Sequence, residues 1–182
     1  MKKLNLGCGL KYFKGYDNLD YYKHEGVDIV YDLNKIPWKF AKDNIYDEIY
    51  SDNTLEHLKP DIIDIMNEIY KIAKPNSTIK IIVPHYTTGG TYSEHHYKFF
   101  WYRSFEYRFG KGSFSLENTE WKKFKMIKRK LIFNKIFPWN WIVEPIVNFW
   151  IMPYIYENTF LQYLFPAQDI YFEMKVIKTN LK

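Results

Sequence analysis

The chain has 182 residues and carries 26 Lys or Arg against 21 Asp or Glu, a formal net charge of +5. That length supports one domain with a sizeable core and excludes two well-built domains, and the one cysteine excludes a disulfide framework. No apolar leader follows Met1, so we expect a cytoplasmic protein in a reducing compartment. The positive charge bears on association with anionic partners and not on the fold.

The first half of the chain predicts short strands, loops and one helix. Apolar runs bounded by Gly, Asp, Asn or Pro predict strands at residues 2–6, 15–20, 26–33, 45–51 and 78–84. Between the last two, apolar residues recur at helical spacing: Ile62, Ile65, Met66, Ile69 and Ile72. Strands that alternate with helices and tight loops predict an α/β fold with a mostly parallel, doubly wound sheet.

The second half is less regular. Residues 95–109 carry aromatic side chains at a spacing that suits a helix, and residues 121–133 and 169–178 predict two strands. Between these strands, residues 135–166 form an aromatic insert broken by proline. No repeat or Gly/Ser linker divides the chain. We therefore expect a single domain over residues 1–182, with its core in 1–110 and the C-terminal strands and insert in 111–182.

Two glycines surround Cys8 directly after the first predicted strand. Parallel sheets bind ligands where a strand ends in such a turn, and Gly7 and Gly9 let the backbone approach a ligand in conformations that a side chain would forbid. Asp20 ends the next predicted strand, where its carboxylate can accept hydrogen bonds from ribose hydroxyls. Together these residues predict a nucleoside site.

Two common nucleotide motifs are not satisfied. A dinucleotide site needs a third glycine after G-x-G, where this chain has Leu10, Lys11 and Tyr12, and Asp20 comes early. The phosphate-binding loop is also missing, because no Gly-Lys pair is followed by Ser or Thr. Pyrophosphate is therefore not the expected ligand.

Six segments occur in a specific order: LNLGCG (4–9), GYDNLD (15–20), VDIVYDLNKIPW (27–38), NIYDEIYSDNTLEHL (44–58), MNEIYKIAKPNSTIKIIVPH (66–85) and HHYKFF (95–100). In this order they resemble the class I S-adenosylmethionine-dependent methyltransferases, in particular the group related to the type 11 family. The tail DIYFEMKVIK is similar to the last strand of that fold. The resemblance implies a Rossmann-like, seven-stranded sheet with an antiparallel last strand, and S-adenosylmethionine as the cofactor.

The resemblance also implies a role for each matching residue. Asp20 would bind the ribose, Asp32 with Leu33 would bind the adenine, and the residues after the fourth strand would line the pocket near the reactive methyl. Glu56 and His57 match the Glu-His pair of the family. The cofactor residues implied are Asn5, Gly7, Cys8, Gly9, Asp20, Asp32, Leu33, Ser51, Asp52, Asn53 and His57.

Methyl transfer to a hydroxyl requires removal of a proton, a task that suits histidine. The catalytic candidates are His96 and His85, with Glu94 behind them. The alternative is that His85 caps a strand and His96 packs under the aromatic helix predicted at residues 95–109. Where the family has a Gly pair and an Asp-Pro pair, this chain has Asn76-Ser77 and Ser93-Glu94.

Other features each have two interpretations. Cys8 could be a reactive thiol, but packing is favoured. No metal site is expected, because adjacent His95 and His96 would point apart on a helix and no H-x-x-x-H spacing occurs. The Lys/Arg run at 122–130 could bind phosphate, although protection of an exposed edge strand is favoured. Trp38 could contact adenine or fill the core.

The insert contains much of the aromatic residue content, which is 20% of the chain. Charges and prolines interrupt it, so a membrane span is not expected. The open alternatives are a lid over the acceptor pocket, a dimer or partner-subunit contact, and a peripheral membrane contact. We expect methyl transfer to a small-molecule or glycan hydroxyl. A non-catalytic cofactor-binding partner subunit is the alternative, and a basic nucleic-acid-binding module is disfavoured.

Overall fold

The structure is a computed structural model that describes residues 1–105 and 123–178. The strands are β1 (Lys3–Leu6), β2 (Asp17–Asp20), β3 (Ile29–Val30), β4 (Tyr46–Asp52), β5 (Ala73–Pro84), β6 (Phe124–Ile132) and β7 (Asp169–Val176). They form one sheet in the order β3-β2-β1-β4-β5-β7-β6. Neighbours from β3 to β5 pair in parallel, and β7 is antiparallel to both β5 and β6. The predicted fold class, a mostly parallel seven-stranded sheet with an antiparallel last strand, is confirmed.

Loops, not helices, join the first four strands. Residues 7–16, 21–28 and 31–45, all of them described, contain no α-helix. A buried side chain of β2 orders the first of these loops instead. The Asn18 amide donates to the carbonyl oxygen of Phe13 at 3.0 Å, and its Oδ1 accepts from the Phe13 N–H at 2.8 Å. The chain can therefore return to the sheet without a crossover helix.

The predicted helix after β4 is α1 (Ile62–Ile72). Asp61 caps it, because Oδ1 of Asp61 accepts a hydrogen bond from the Ile63 N–H at 2.8 Å. The apolar stripe predicted from spacing is fully buried at Ile65 and Ile69. β5 starts directly after α1, and Asn76 takes a left-handed φ of +61° there. This is a conformation that Asn tolerates.

The helix predicted at residues 95–109 is wrong over residues 95–103. Residues 94–95 form a turn, residues 96–99 have no regular structure, and Phe100 forms a parallel bridge with His85. The backbone N–H of Tyr97 donates to the Glu56 carbonyl at 2.8 Å, and that of Tyr86 donates to the Phe100 carbonyl at 2.8 Å. These long-range hydrogen bonds replace the local bonds of a helix. Residues 106–109 lie outside the described residues.

The insert forms three short helices between β6 and β7: α2 (Asn140–Val147), α3 (Met152–Glu157) and α4 (Leu161–Leu164). β6 is an edge strand of the sheet, which agrees with the edge-protection interpretation of its Lys residues. Within residues 1–105 and 123–178, no helix has the length and apolar character needed to cross a bilayer.

Candidate functional site at the carboxyl edge of the sheet

The loop after β1 is shaped by two glycines with left-handed backbones. Gly7 has a φ of +68° and Gly9 a φ of +50°. A Cβ atom on Gly7 would lie 2.3 Å from Cγ2 and Oγ1 of Thr54, so packing as well as conformation requires glycine there. A Cβ atom on Gly9 would meet nothing within 4 Å. The loop is therefore packed against the protein at Gly7 and has room for a ligand at Gly9.

Asp20 ends β2 beside this loop, and its carboxylate holds the loop in place. Oδ2 of Asp20 accepts from the Gly9 N–H at 2.8 Å, and Oδ1 accepts from the Tyr22 N–H at 3.1 Å. A carboxylate offers about four lone-pair positions. Two of them therefore remain for hydroxyl donors of a ligand.

Asn5 lies beneath the loop. It is buried in β1, and its Nδ2 donates to the Lys11 carbonyl at 2.8 Å and to Asn18 Oδ1 at 3.1 Å. The Cys8 thiol is also buried. Burial raises the pKa of this thiol to about 11, and the Asp20 carboxylate contributes to the increase. The structure therefore favours the packing interpretation of Cys8, while Asn5 organises the loop from below.

The loop after β3 places Asp32 at the surface and Leu33 in the core. Oδ1 of Asp32 accepts from the Asn34 N–H at 3.0 Å. The Leu33 carbonyl accepts a hydrogen bond at 3.0 Å from Nε1 of Trp38, which is only 1% exposed. Trp38 therefore fills the core, the second of the two interpretations of its sequence position.

The end of β4 combines a buried polar group with an exposed turn. Ser51 is buried, and within the described residues its Oγ has no hydrogen-bond partner. Asn53 is exposed with a left-handed φ of +48°. Asp52 lies between them, and its Oδ2 is 3.0 Å from Nζ of Lys11 in the glycine loop. This ion pair ties the glycine loop after β1 to the end of β4.

Asp169 adds a further carboxylate to this edge. It begins β7 and pairs in register with Pro84 at the end of β5. In an antiparallel pair, one strand begins where the other ends. Burial raises the pKa of Asp169 to about 6, and the Asp52 carboxylate contributes to the increase. Asp169 and Lys11 could not be predicted from the sequence as site residues, since their position depends on strand order and on a loop path that periodicity does not reveal.

Glu56, His57 and His96 form a cluster next to these carboxylates. One potential ligand atom from each lies within 4.8 Å of the other two. The His57 and His96 rings meet edge to face with centroids 4.4 Å apart. Glu56 is fully buried, and burial raises its pKa to about 7, with further increases from Asp169 and Asp52. Burial lowers the pKa of His57.

The other two catalytic candidates lie elsewhere. His85 is fully buried, with Nδ1 at 2.7 Å from Thr87 Oγ1 and Nε2 at 3.3 Å from Glu157 Oε1. Its ring is therefore held on both sides. Glu94 is on the surface with an 86% exposed side chain, 3.5 Å from the exposed His95 ring. The structure thus brings together His96 and His57, but it does not bring Glu94 to them.

A cavity of about 460 Å³ opens beside His85. Glu157 forms part of its wall and is held from behind by the His85 ring and by the Tyr102 N–H. Aromatic rings make up most of the rest of the wall. The lining residues are Tyr86, Tyr92, Phe99, Trp101, Arg103, Glu157 and Asn158.

No protein-family model matches the chain, and no curated protein matches it. Solved structures do match. A methyltransferase from Archaeoglobus fulgidus that depends on S-adenosylmethionine aligns with a TM-score of 0.63 and 17% identity, over 96% of this chain and 85% of that one. The chain has the fold of the class I methyltransferases.

Two further structures agree with this fold. A methyltransferase from Mesorhizobium loti that depends on S-adenosylmethionine aligns with a TM-score of 0.56 and 11% identity, over 96% of this chain and 90% of that one. A chain from the complex between the Haloferax volcanii Trm112 methyltransferase activator and a putative methyltransferase aligns with a TM-score of 0.56 and 16% identity. The alignment covers 98% of this chain and 83% of that one. At these identities the likeness is one of fold, and reaction and substrate must be argued from the site.

Proposed function

We propose that this protein transfers a methyl group from S-adenosylmethionine to a hydroxyl of a small molecule or glycan. The observation that carries the proposal is the glycine loop between β1 and β2. It is packed at Gly7, open at Gly9 and bonded to Asp20, beside the point where the strand order reverses between β1 and β4. This is the place where α/β sheets bind their ligands.

The residues at this edge fit the parts of the proposed cofactor. Asp20 keeps lone pairs for the two ribose hydroxyls, and Asp32 provides a carboxylate acceptor for the adenine amino group. The Lys11–Asp52 pair offers a cation and an anion to the amino-acid portion, which carries both charges. Thr54 fixes the loop, since its Oγ1 lies 3.2 Å from the carbonyl oxygens of Leu6 and Gly7.

The cofactor supplies a methyl group that its sulfonium makes electrophilic. The protein then has to orient an acceptor, exclude water and remove the acceptor proton. We assign proton removal to the cluster of Glu56, His57 and His96, which includes the candidate His96 predicted from the sequence. His85 acts as a positioning residue through Glu157, which it contacts at 3.3 Å.

The aromatic cavity is our candidate for the acceptor site. Its volume of about 460 Å³ is in the usual range for small-molecule sites. Aromatic walls suit the apolar faces of sugar rings, and Glu157 with Asn158 offers polar atoms for their hydroxyls. This combination favours a hydroxyl-bearing acceptor of sugar size.

The test is transfer of a labelled methyl group from S-adenosylmethionine to a panel of mono- and oligosaccharides. We expect His96→Asn to reduce transfer by roughly a hundredfold or more, the usual contribution of a general base. His95→Asn is the matched control, because its neighbouring ring is exposed, and it should keep full activity. Equal activity of the two variants would remove the cluster from the mechanism.

A non-catalytic role is the second candidate. The likeness to a structure in which a putative methyltransferase is bound to the Trm112 activator supports a dependence on a second protein, although it does not itself support a loss of catalysis. A partner subunit of this kind would bind the cofactor without transferring its methyl group to any acceptor in the panel. Activity that appears only after a second protein is added would support this alternative.

A further inference from the structure

The Glu56 carboxylate is a buried acid whose oxygens accept no hydrogen bond from another described residue. The residue is 0% exposed. A buried carboxylate in this state is costly unless a cation or hydrogen-bond donors compensate it. The carboxylates of Asp169 and Asp52 lie near enough to add negative potential, and the Lys98 ammonium opposes this with a smaller positive contribution.

The two neighbouring imidazoles are oriented by backbone carbonyls. Nδ1 of His57 lies 3.2 Å from the His95 carbonyl oxygen, and Nδ1 of His96 lies 3.2 Å from the Thr91 carbonyl oxygen. A carbonyl oxygen only accepts hydrogen bonds, so each Nδ1 must carry the proton. Each Nε2 then keeps a lone pair. Histidines that bind metals are commonly oriented in this way, with one ring nitrogen bonded to a carbonyl.

We propose that Glu56, His57 and His96 form a binding site for a divalent transition-metal cation. Two imidazole nitrogens and one carboxylate oxygen are a ligand set that suits zinc and its neighbours and leaves a position open for water or substrate. The set joins two distant segments of the chain, which are already tied by the hydrogen bond from the Tyr97 N–H to the Glu56 carbonyl at 2.8 Å.

The ligand atoms are close enough to converge on one ion. They lie within 4.8 Å of one another, whereas ligands of a tetrahedral zinc ion are about 3.3 Å apart. Closing the site therefore requires shifts of about 1.5 Å or less, a distance that side-chain rotation can supply. His57 is exposed and His96 half-buried, so both rings have room to adjust.

Metal binding at this site does not depend on the proposed function, but its role does. Within that function, the cation would lower the pKa of a bound acceptor hydroxyl, so that water could take the proton in place of a histidine base. The Nε2 lone pair of His96 can bind a metal or accept a proton, and not both at once. Metal dependence of methyl transfer distinguishes the two roles, while binding is measured without cofactor.

The experiment uses the full chain stripped with a chelator and titrated with Zn²⁺ by calorimetry, and with Co²⁺ by absorbance. We expect about one ion per chain and imidazole-bound Co²⁺ bands. His96→Asn and Glu56→Gln should each weaken binding by at least about tenfold, and His95→Asn should not change it. Circular dichroism of each variant confirms that it is folded, and the half-buried His96 position provides a variant that does not alter the core.

Two results would overturn the proposal. One is the absence of binding by the folded wild-type chain. The other is equal binding by wild type and folded His96→Asn, particularly if His24→Asn abolishes it, because Cys8, Asp20 and His24 form the other possible ligand group among the described residues.

The outer surface of the insert carries a second inference from an independent observation. Between Phe133 and Gln168 the only charged residues are Lys135, Glu144 and Glu157. Both carboxylates are turned inward, with side chains 9% and 7% exposed. Large apolar side chains are turned outward instead: Ile136, Trp139, Trp141, Ile142, Phe149, Trp150, Phe160 and Leu164 are each more than half exposed.

The charge distribution indicates what this surface contacts. Outward acidic groups, which would repel an anionic bilayer, do not occur within residues 133–168, all of which are described. Lys135 lies 5.0 Å from the Trp141 ring but is paired with Glu144 at 2.9 Å, so the positive charge comes from the exposed Lys125 and Lys128 of the adjacent β6. Exposed Trp and Phe beside Lys are typical of helices that lie in the interfacial region of a membrane.

We infer that the surface formed by α2, α3 and α4 docks on an anionic lipid bilayer. Trp150 supports this inference, because it is 83% exposed and has a left-handed φ of +41°, a conformation that favours glycine. Burial on folding does not explain a tryptophan there, because the residue is exposed, and the backbone conformation does not explain it, because that φ favours glycine. An apolar bilayer region that accepts its ring does account for it.

The test is sedimentation with vesicles of phosphatidylcholine alone or mixed with phosphatidylserine. We expect the protein to sediment with the mixed vesicles, less so at high salt. Trp139→Ser combined with Trp141→Ser should reduce binding by roughly tenfold or more. Tyr22→Ser, an equally exposed aromatic position outside the insert, is the control and should bind normally.

Protein that stays in the supernatant with both vesicle types would overturn the inference. So would a dimer in light scattering that the tryptophan variant dissociates while vesicle binding is unaffected, because the surface would then be a contact between two copies of the chain.

Discussion

The carboxyl edge of the sheet and the insert use apolar residues in opposite ways. At the edge, the large apolar side chains of Leu4, Leu6 and Trp38 are buried. In the insert, Trp141 and Trp150 are exposed and Glu144 is buried, although Tyr156 still joins the core. Hydrophobicity therefore predicts burial in the first region but fails to do so for the largest side chains of the second. The first surface follows from folding, and the second indicates a contact outside the chain.

The largest expected difference is between two tryptophans. Trp38→Ala should lower the free energy of unfolding by about 3–5 kcal/mol, because it opens a cavity in the core and removes the hydrogen bond to the Leu33 carbonyl. Trp141→Ala should change it by less than about 0.5 kcal/mol, because the ring is 65% exposed. Urea denaturation of both variants measures this, and similar losses would contradict the contrast between the regions.

The two glycines of the site should differ by a smaller amount. Gly7→Ala should destabilise by about 3 kcal/mol or more, because strained backbone is combined with a Cβ 2.3 Å from Thr54. Gly9→Ala should destabilise by about 1–2 kcal/mol, the cost of the left-handed backbone alone, because its Cβ would contact nothing within 4 Å. Thermal unfolding compares them directly. If Gly9→Ala proved the more damaging, the loop would be packed where we describe it as open.

The buried acid of the insert should make stability depend on pH. Burial alone would raise the pKa of Glu144, but hydrogen bonds from Lys130, the Phe133 N–H and Lys135 hold it below its usual value of 4.5. Because the pKa of Glu144 is lower in the folded state than in the unfolded state, ionised Glu144 stabilises the folded protein above pH 4.5. This stabilisation is lost as the pH falls through the pKa of Glu144 in the folded state.

Glu144→Gln should therefore cost about 2 kcal/mol near neutral pH, the usual value for hydrogen bonds to a charged group. Its deficit should shrink below about pH 4. Melting temperatures of both proteins across this range test the sign. A deficit that grows with acid would mean that burial outweighs the lysine contacts.

The smallest expected effect has the opposite sign. Trp150→Gly should stabilise the protein by up to about 1 kcal/mol, because glycine adopts the φ of +41° without strain. The same change should weaken vesicle binding. Chemical denaturation and sedimentation of one variant therefore separate the folding role of the residue from its proposed contact, and a loss of stability would contradict the strain argument.

Strand and helix positions in the first half could be predicted because their apolar runs are local and regular. The helix prediction was wrong over residues 95–103 because Tyr97 and Phe100 bond to distant backbone groups that local spacing does not reveal. Asp20 could be proposed as a site residue because it ends a predicted strand. Asp169 was missed, because only the antiparallel pairing of β7 brings it to the same edge. The insert could be recognised by composition, but which of its residues face outward depended on the fold.

The most direct test of the account is calorimetric titration with S-adenosylhomocysteine, with NAD as the ligand control. We predict binding to wild type and to Asp43→Asn, an exposed control, and binding at least about tenfold weaker to Asp20→Asn, which leaves the ribose with a poorer acceptor. Absence of binding to the folded wild-type chain, or equal affinity of the Asp20 variant, would contradict the assignment of the glycine loop and Asp20 as the cofactor site.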